Sequence, residues 1–144
     1  MKFEHFAINV EDPPAVAAWY VEHLQMQIVR HVGEPTHMHF LADSTGRVMM
    51  ELYNNPPDLI PDYAAQDPQV LHMAFAVEDM EGAIAHLEAA GAKKVGGPGQ
   101  TPFGDVLAMV RDPWGFAIQL NNYLLIKGLQ EKIFIFPFQA KKKY

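Results

Sequence analysis

The sequence predicts an α+β fold of two tandem modules, each with one helix and four strands in the order βαβββ. Residues 5–12 and 72–79 are identical at five of eight aligned positions, which is an internal repeat. A helical pattern of apolar residues follows each copy. Each module then closes with an apolar strand that begins at a glycine, over residues 46–52 and 115–120.

The spacing of polar landmarks supports the repeat. His5 and His72 are 67 residues apart, and Glu51 and Gln119 are 68 residues apart. Short strands often resemble each other by chance, but two pairs of polar residues separated by nearly the same number of positions rarely arise by chance. The two modules are therefore expected to share one topology.

Module one spans residues 1–55 and begins with an apolar run of strand length over residues 3–10. Asp12 is placed to cap a helix whose first turn takes Pro13 and Pro14. Three more strands are predicted, at residues 27–32, 36–41 and 47–53.

Module two spans residues 70–123 and follows a linker at residues 56–69 that holds four prolines and three aspartates. Asp79 is the expected helix cap, and Gly91 stands where a helix C-terminal glycine belongs. Strands are predicted at residues 70–77, 92–95, 106–110 and 116–121.

Composition narrows the function classes. The absence of cysteine excludes disulfides, zinc–thiolate sites and thiol nucleophiles. Residues 1–123 hold 16 acidic and 6 basic side chains. Because this negative charge would repel nucleic-acid phosphates, binding of nucleic acid is not expected. No signal peptide is visible, and no run reaches the roughly 20 apolar residues that a membrane span needs. The protein is therefore expected to be cytoplasmic and not associated with a membrane.

Residues 124–144 form an extension outside the repeat. Residues 133–138 are apolar and aromatic and would be an aggregation hazard if they were exposed. The extension is therefore expected to pack on the body of the protein or on a second subunit.

Strand alternation places one pair of metal-ligating side chains in each module. Residues two apart on a strand share a face, so His5 and Glu51 are predicted to lie on the face opposite the helix. His72 and Gln119 repeat this arrangement. Two such faces, packed about a pseudo-twofold axis, would bring all four side chains together.

These motifs resemble the vicinal oxygen chelate superfamily, which includes glyoxalase I, bleomycin-resistance proteins and extradiol dioxygenases. The resemblance covers residues 1–123, and the segment Asp-Pro-Trp-Gly-Phe-Ala-Ile-Gln-Leu at residues 112–120 is similar to the family's Asp-Pro-x-Gly-x-x-Ile-Glu-Leu ending. The other matching segments are residues 3–10, 48–52 and 71–77. The resemblance implies a glyoxalase-like fold with a half-barrel cleft. It also implies a homodimer, because members of the family often dimerise.

The resemblance also implies that His5, Glu51, His72 and Gln119 hold a divalent metal. Imidazole and carboxylate suit Ni²⁺, Zn²⁺, Fe²⁺, Co²⁺ or Mn²⁺, and the sequence does not choose among them. The implied activity is that of a lyase or isomerase acting on a small oxygen-chelating substrate, with Glu51 as the catalytic base. Tyr53 and Asn121 flank the ligands and are candidate substrate contacts.

Two residues depart from the glyoxalase I pattern. Gln119 replaces the usual glutamate, and an amide cannot accept a proton near neutral pH. Asn9 stands near the point where relatives often place a basic residue, which argues against glutathione and makes Asn9 a third candidate substrate contact.

Three interpretations of the site stay open. Glu51 is the sole base, or a two-histidine, one-carboxylate site serves an extradiol-type Fe²⁺ dioxygenase, or the cleft only binds a small molecule without metal. His37 and His39 are predicted to share a face of the third strand. They are either an auxiliary metal pair or surface histidines, and the second interpretation is preferred.

Overall fold

The computed structural model of the chain describes residues 2–122, and the 124–144 extension lies outside them. The chain divides into two compact units, Met1–Gln66 and Asp67–Tyr144. Each unit has one helix and four strands in the predicted order, so the predicted fold class is confirmed. The first unit holds β1 (Phe6–Asn9), α1 (Pro13–Leu24), β2 (Gln27–His31), β3 (His39–Ala42) and β4 (Val48–Tyr53). The second holds β5 (Met73–Ala76), α2 (Met80–Ala89), β6 (Lys93–Gln100), β7 (Val106–Arg111) and β8 (Ala117–Asn122).

The two sheets have the same topology. Their strand orders are β1-β4-β3-β2 and β5-β8-β7-β6, with the first pair of each sheet parallel and the other pairs antiparallel. Ala7 is in register with Glu51, and Ala74 is in register with Gln119. The repeat seen in the sequence is therefore a repeat of strand register.

Both helices begin at the predicted caps. The Asp12 carboxylate accepts a hydrogen bond from the Ala15 N–H at 3.0 Å, and that of Asp79 accepts one from Gly82 at 3.0 Å. These bonds satisfy N–H groups that have no partner inside the helix. Gly91, which follows α2, has a φ of +93°, a conformation that favours glycine.

One helix packs on one face of each sheet and sets the orientation of the strands. In the first unit, Tyr20 of α1 is buried with Met50 and Leu52 of β4. Because side chains alternate along a strand, Glu51 lies on the opposite face, which we call the helix-free face. Burial of apolar groups against the helix therefore determines which residues of β4 face away from it.

A repeated aspartate–glycine turn precedes the last strand of each unit. The carboxylate of Asp112 accepts hydrogen bonds from the N–H groups of Trp114 at 3.0 Å and Phe116 at 2.8 Å. The carboxylate of Asp43 likewise accepts a bond from the Thr45 N–H at 2.9 Å. Each turn brings the chain into the strand that carries a predicted oxygen ligand.

The two turns differ in burial, which predicts a difference in stability. Asp112 is only 4% exposed, so Asp112→Ala should leave two shielded N–H groups without their acceptor and lower the free energy of unfolding by about 2 to 3 kcal/mol. Asp43→Ala, in the more accessible turn, is the matched control and should cost about 1 kcal/mol or less. Urea denaturation measures both, and equal losses would contradict this explanation.

Every strand differs from its predicted bounds by at least one residue, and the differences at β6 and β3 have clear physical causes. β6 extends beyond its predicted end at Val95 to Gln100, through a glycine- and proline-rich stretch that two register shifts accommodate. A Cβ at Gly97 would come within 2.5 Å of the Leu107 carbonyl oxygen, so the close approach of β7 requires glycine.

β3 begins at His39, because residues 34–37 form a turn in which His37 has a φ of +47°. The prediction that His37 and His39 share a strand face is therefore wrong.

Within residues 2–122, no helix combines the length and apolar character that crossing a membrane requires.

Candidate functional site

The first unit brings His5 and Glu51 together. His5 immediately precedes β1, and Glu51 lies at the middle of β4, in register with Ala7. The His5 Nε2 atom is 3.0 Å from the Glu51 Oε2 atom. The two side chains are 29% and 17% exposed, so the pair is partly shielded and still accessible.

Glu4 holds the other side of the His5 ring. Its carboxylate contacts His5 Nδ1, so the imidazole lies between two carboxylates. The hydrogen bond to Glu4 is the main reason that the pKa of His5 is raised above its ordinary value, and the charges of Glu4 and Glu51 add to it, while desolvation opposes it. A carboxylate behind an imidazole is the usual support of a metal-ligating histidine, because it orients the ring and increases its basicity.

The geometry of this pair fits two ligands of one divalent ion. Two donor atoms about 2.1 Å from an ion and at a right angle to each other are about 3.0 Å apart. The His5–Glu51 separation has this value. The donor set, one imidazole nitrogen and one carboxylate oxygen, suits the divalent transition metals.

The position of Glu4 predicts a measurable change at His5. Glu4→Gln should lower the pKa of His5, because it removes both the strongest hydrogen bond to the imidazolium and one negative charge. An NMR titration of the histidine ring protons measures the change. Glu11→Gln, at an exposed carboxylate near the start of α1, is the matched control. An unchanged His5 pKa in Glu4→Gln would contradict the assigned contact.

The second unit presents its own pair in the corresponding positions. His72 immediately precedes β5, and its Nδ1–H donates a hydrogen bond to the Pro68 carbonyl at 2.8 Å. This bond fixes the tautomer and leaves Nε2 free to accept a ligand. Gln119 lies on the helix-free face of β8, between the buried residues Ile118 and Leu120.

Within the described part of the chain, no group of three or more His, Cys, Asp or Glu side chains is placed to hold a metal ion. The structure therefore shows the His5–Glu51 pair and the supported imidazole of His72. The joining of His5, Glu51, His72 and Gln119 in one site stays a prediction.

Asn9 has a structural role that the sequence does not reveal. Its amide donates hydrogen bonds to the carbonyls of Pro56 at 2.8 Å and Leu59 at 3.2 Å, and its oxygen accepts one from the Asn55 N–H at 2.9 Å. The Tyr63 hydroxyl donates to the Asn9 carbonyl at 2.9 Å. Asn9 thus fastens the linker to β1, and the predicted contact with substrate would have to displace these bonds.

The other two predicted substrate contacts lie on the same strand faces as the predicted metal ligands. Tyr53 is in register with Asn9 and is half-buried. Asn121 is in register with Ala76 and is 1% exposed. Their contacts with a substrate stay predictions.

Two residues beside the site were not predicted from the sequence. Phe40 of β3 is in register with Glu51, and its ring meets the His5 imidazole edge-on at 5.3 Å between centroids. Arg30 of β2 is in register with Phe40. Alternation along β3 could have identified Phe40, because its neighbour Leu41 belongs to the buried face.

Comparisons with known proteins agree with the repeat and the strand order. A family model described as the Glyoxalase/Bleomycin resistance protein/Dioxygenase superfamily matches residues 2–120. The comparison with curated protein sequences gave no match.

Solved structures with the same fold include a binding protein as well as enzymes. TnmS3, an antibiotic binding protein from Streptomyces sp. CB03234, is 24% identical with a TM-score of 0.64, covering 85% of this chain and 95% of its own. Glyoxalase I from Zea mays is 23% identical with a TM-score of 0.68, covering 85% of this chain and 44% of its own. A family enzyme from Burkholderia phytofirmans PsJN is 18% identical with a TM-score of 0.66, covering 84% of this chain and 98% of its own. At these identities the likeness shows the fold.

Proposed function

We propose a metal-dependent lyase or isomerase activity of the glyoxalase type for this chain, which belongs to the Glyoxalase/Bleomycin resistance protein/Dioxygenase superfamily. The substrate in this proposal is a small molecule with two adjacent oxygen atoms. The observation that carries the proposal is the His5–Glu51 pair, 3.0 Å apart, with the Glu4 carboxylate behind the imidazole. A salt bridge alone would not need the second carboxylate on the far side of the ring, whereas a metal-ligating histidine commonly has one.

The proposed ligand set takes one pair from each repeat. His5 and Glu51 come from the first, and His72 and Gln119 from the second, whether the two repeats belong to one chain or to two chains of a homodimer. The support for the second pair is the Pro68 carbonyl, which holds His72 with its Nε2 available. When bound, a divalent ion would supply Lewis-acid polarisation of the substrate oxygens.

The roles of the side chains follow from their chemistry. Glu51 is the base, because its carboxylate can accept a proton from the carbon next to a substrate carbonyl. His5 is oriented by Glu4 and keeps Glu51 in place. Gln119 offers a neutral oxygen and cannot take part in proton transfer near neutral pH. The site therefore has one base, where glyoxalase I is expected to have two carboxylates.

A proton-exchange assay tests the proposal without knowledge of the natural substrate. Protein loaded with Ni²⁺ or Zn²⁺ is incubated with dihydroxyacetone in D₂O, and NMR follows the exchange of the methylene protons. Wild type is expected to accelerate the exchange. Glu51→Ala should exchange the protons at least about 100-fold more slowly than wild type, because a positioned general base contributes a rate factor of that size or more. Absence of acceleration by wild type with either metal would contradict the proposal, and oxygen consumption with catechol and Fe²⁺ would indicate the dioxygenase activity instead.

A second candidate function is metal-free binding of a small molecule. Two observations favour it: the likeness to the antibiotic binding protein TnmS3, and the neutral Gln119 in place of a carboxylate. Metal analysis of protein purified without chelator separates the two functions, because only the enzyme needs about one divalent ion for each site.

A further inference from the structure

A continuous row of side chains crosses the helix-free face of the first sheet. Register pairs Ala7 with Glu51, Glu51 with Phe40, and Phe40 with Arg30, across the strands β1, β4, β3 and β2. Residues in register on neighbouring strands point to the same face. The carboxylate of the candidate site is thus followed along the sheet by an aromatic ring and then by a guanidinium group.

A β-bulge places Arg30 in this row. Ile28 is in register with Leu41, which is fully buried on the helix side, so regular alternation would also direct Arg30 to the helix side. The register shifts between Ile28 and Arg30, and Val29 is the extra residue. The shift sets Arg30 opposite Phe40. Bulges commonly redirect a side chain toward a functional site.

The Phe40 ring connects Arg30 to the candidate site. The Arg30 Cζ atom lies 5.8 Å from the Phe40 ring centroid, a cation–π contact, and the His5 ring centroid lies 5.3 Å from the same point. The guanidinium carbon and the imidazole centroid are therefore at most about 11 Å apart. This contact orients the guanidinium and leaves its edge N–H groups available.

Within the part of the chain that the structure describes, Arg30 forms no ion pair with a carboxylate. This is unexpected in a protein with a net charge of −6, where acidic side chains outnumber basic ones. An oriented guanidinium that carries no ion pair is suited to an external anion.

The second repeat lacks this arrangement. There Gln119 is in register with Met109, and Met109 with Gly96, so glycine occupies the position of Arg30. A Cβ at Gly96 would meet only the Met109 Cβ, at an ordinary 3.7 Å, so packing does not exclude a side chain there. The cation is thus a specific feature of the first repeat and not a requirement of the fold.

We propose that Arg30 binds a carboxylate group of the ligand, so that the substrate is a small organic acid that reaches from His5 and Glu51 to the guanidinium group, whose carbon lies at most about 11 Å from the imidazole centroid. The inference rests on the proposed function for the position of the reacting end only. Phe40 would contact the part of the ligand between its two ends. A singly charged carboxylate is chosen over a phosphate because Glu4 and Glu51 lie beside the site and repel a dianion more strongly.

Binding of benzoate, followed by ¹H–¹⁵N NMR in the presence of chelator, tests this inference independently of any metal. Benzoate offers a carboxylate for Arg30 and a flat ring for Phe40. Arg30→Gln is expected to bind it about fivefold more weakly than wild type, as suits one charge-assisted contact at an exposed position. Arg30→Lys should keep part of the affinity. Arg47→Gln, which removes an exposed arginine from the turn before β4, is the matched control and should bind like wild type.

Two further probes define the recognised group. Benzamide, which is neutral, should bind wild type more weakly than benzoate, and phenyl phosphate should not bind more tightly. Equal benzoate affinity in wild type and Arg30→Gln, no benzoate binding by wild type, equal binding of benzamide, or tighter binding of phenyl phosphate would each overturn the inference. Because no metal is present, loss of proton exchange with retained benzoate binding would refute the proposed activity and leave the carboxylate site in place.

Discussion

Replacing Glu51 by alanine is expected to weaken Ni²⁺ and Zn²⁺ binding by more than 100-fold. The substitution removes the charged member of the proposed ligand set, and the same carboxylate lies 3.0 Å from His5 and keeps the ring in position. Loss of a group that only supports a ligand already costs about 10- to 100-fold, so loss of a ligand should cost more. Competition with a chromophoric chelator measures the affinity.

Gln119→Ala is the matched comparison for Glu51→Ala. Both residues occupy the middle of the closing strand of their unit, in register with an alanine. Because an amide supplies only a neutral oxygen, its loss should weaken binding by about tenfold or less. A larger effect of Gln119→Ala than of Glu51→Ala would contradict the assigned roles, and circular dichroism would verify that both variants fold.

Gln119→Glu is expected to act in the opposite direction, with metal binding at least tenfold tighter and faster proton exchange. The substitution adds a negative charge at a proposed oxygen ligand with almost no change in shape, and it supplies a second base. The same titration and the D₂O assay measure the two effects.

Gln100→Glu is the control for charge alone. It adds the same charge at an exposed glutamine of β6, in the same unit. If both variants changed the metal affinity equally, the effect would be long-range electrostatics, and Gln119 would not be a ligand.

The repeat explains how much of the architecture could be predicted. A five-in-eight identity around His5 and His72 and the near-equal offsets imply one strand order used twice, and the structure has that order. Alternation of buried Met50 and Leu52 with Glu51 was enough to place Glu51 away from the helix. Such patterns are local and regular, which is why periodicity reveals them.

Irregular features could not be predicted in this way. The bulge at Val29 reverses the expected face of Arg30, and periodicity carries no sign of it. The bonds from Asn9 to the linker join residues about 46 to 50 positions apart, and nothing in the local sequence pairs them. The predicted strand ends at Val95, but pairing with β7 maintains a bulged strand as far as Gln100. Tertiary contacts decide each of these cases.

The most direct test of the central claim, that one pair from each repeat binds the same ion, is calorimetric titration of chelator-stripped protein with Ni²⁺ and Zn²⁺. Wild type, His5→Ala and His72→Ala are compared, with His31→Ala, at an exposed position on β2, as control. We predict one ion for each chain, binding weakened by more than 100-fold in both His5→Ala and His72→Ala, and no change in His31→Ala. Equal, weak binding by all four proteins, or a loss confined to one of the two ligand variants, would contradict the claim.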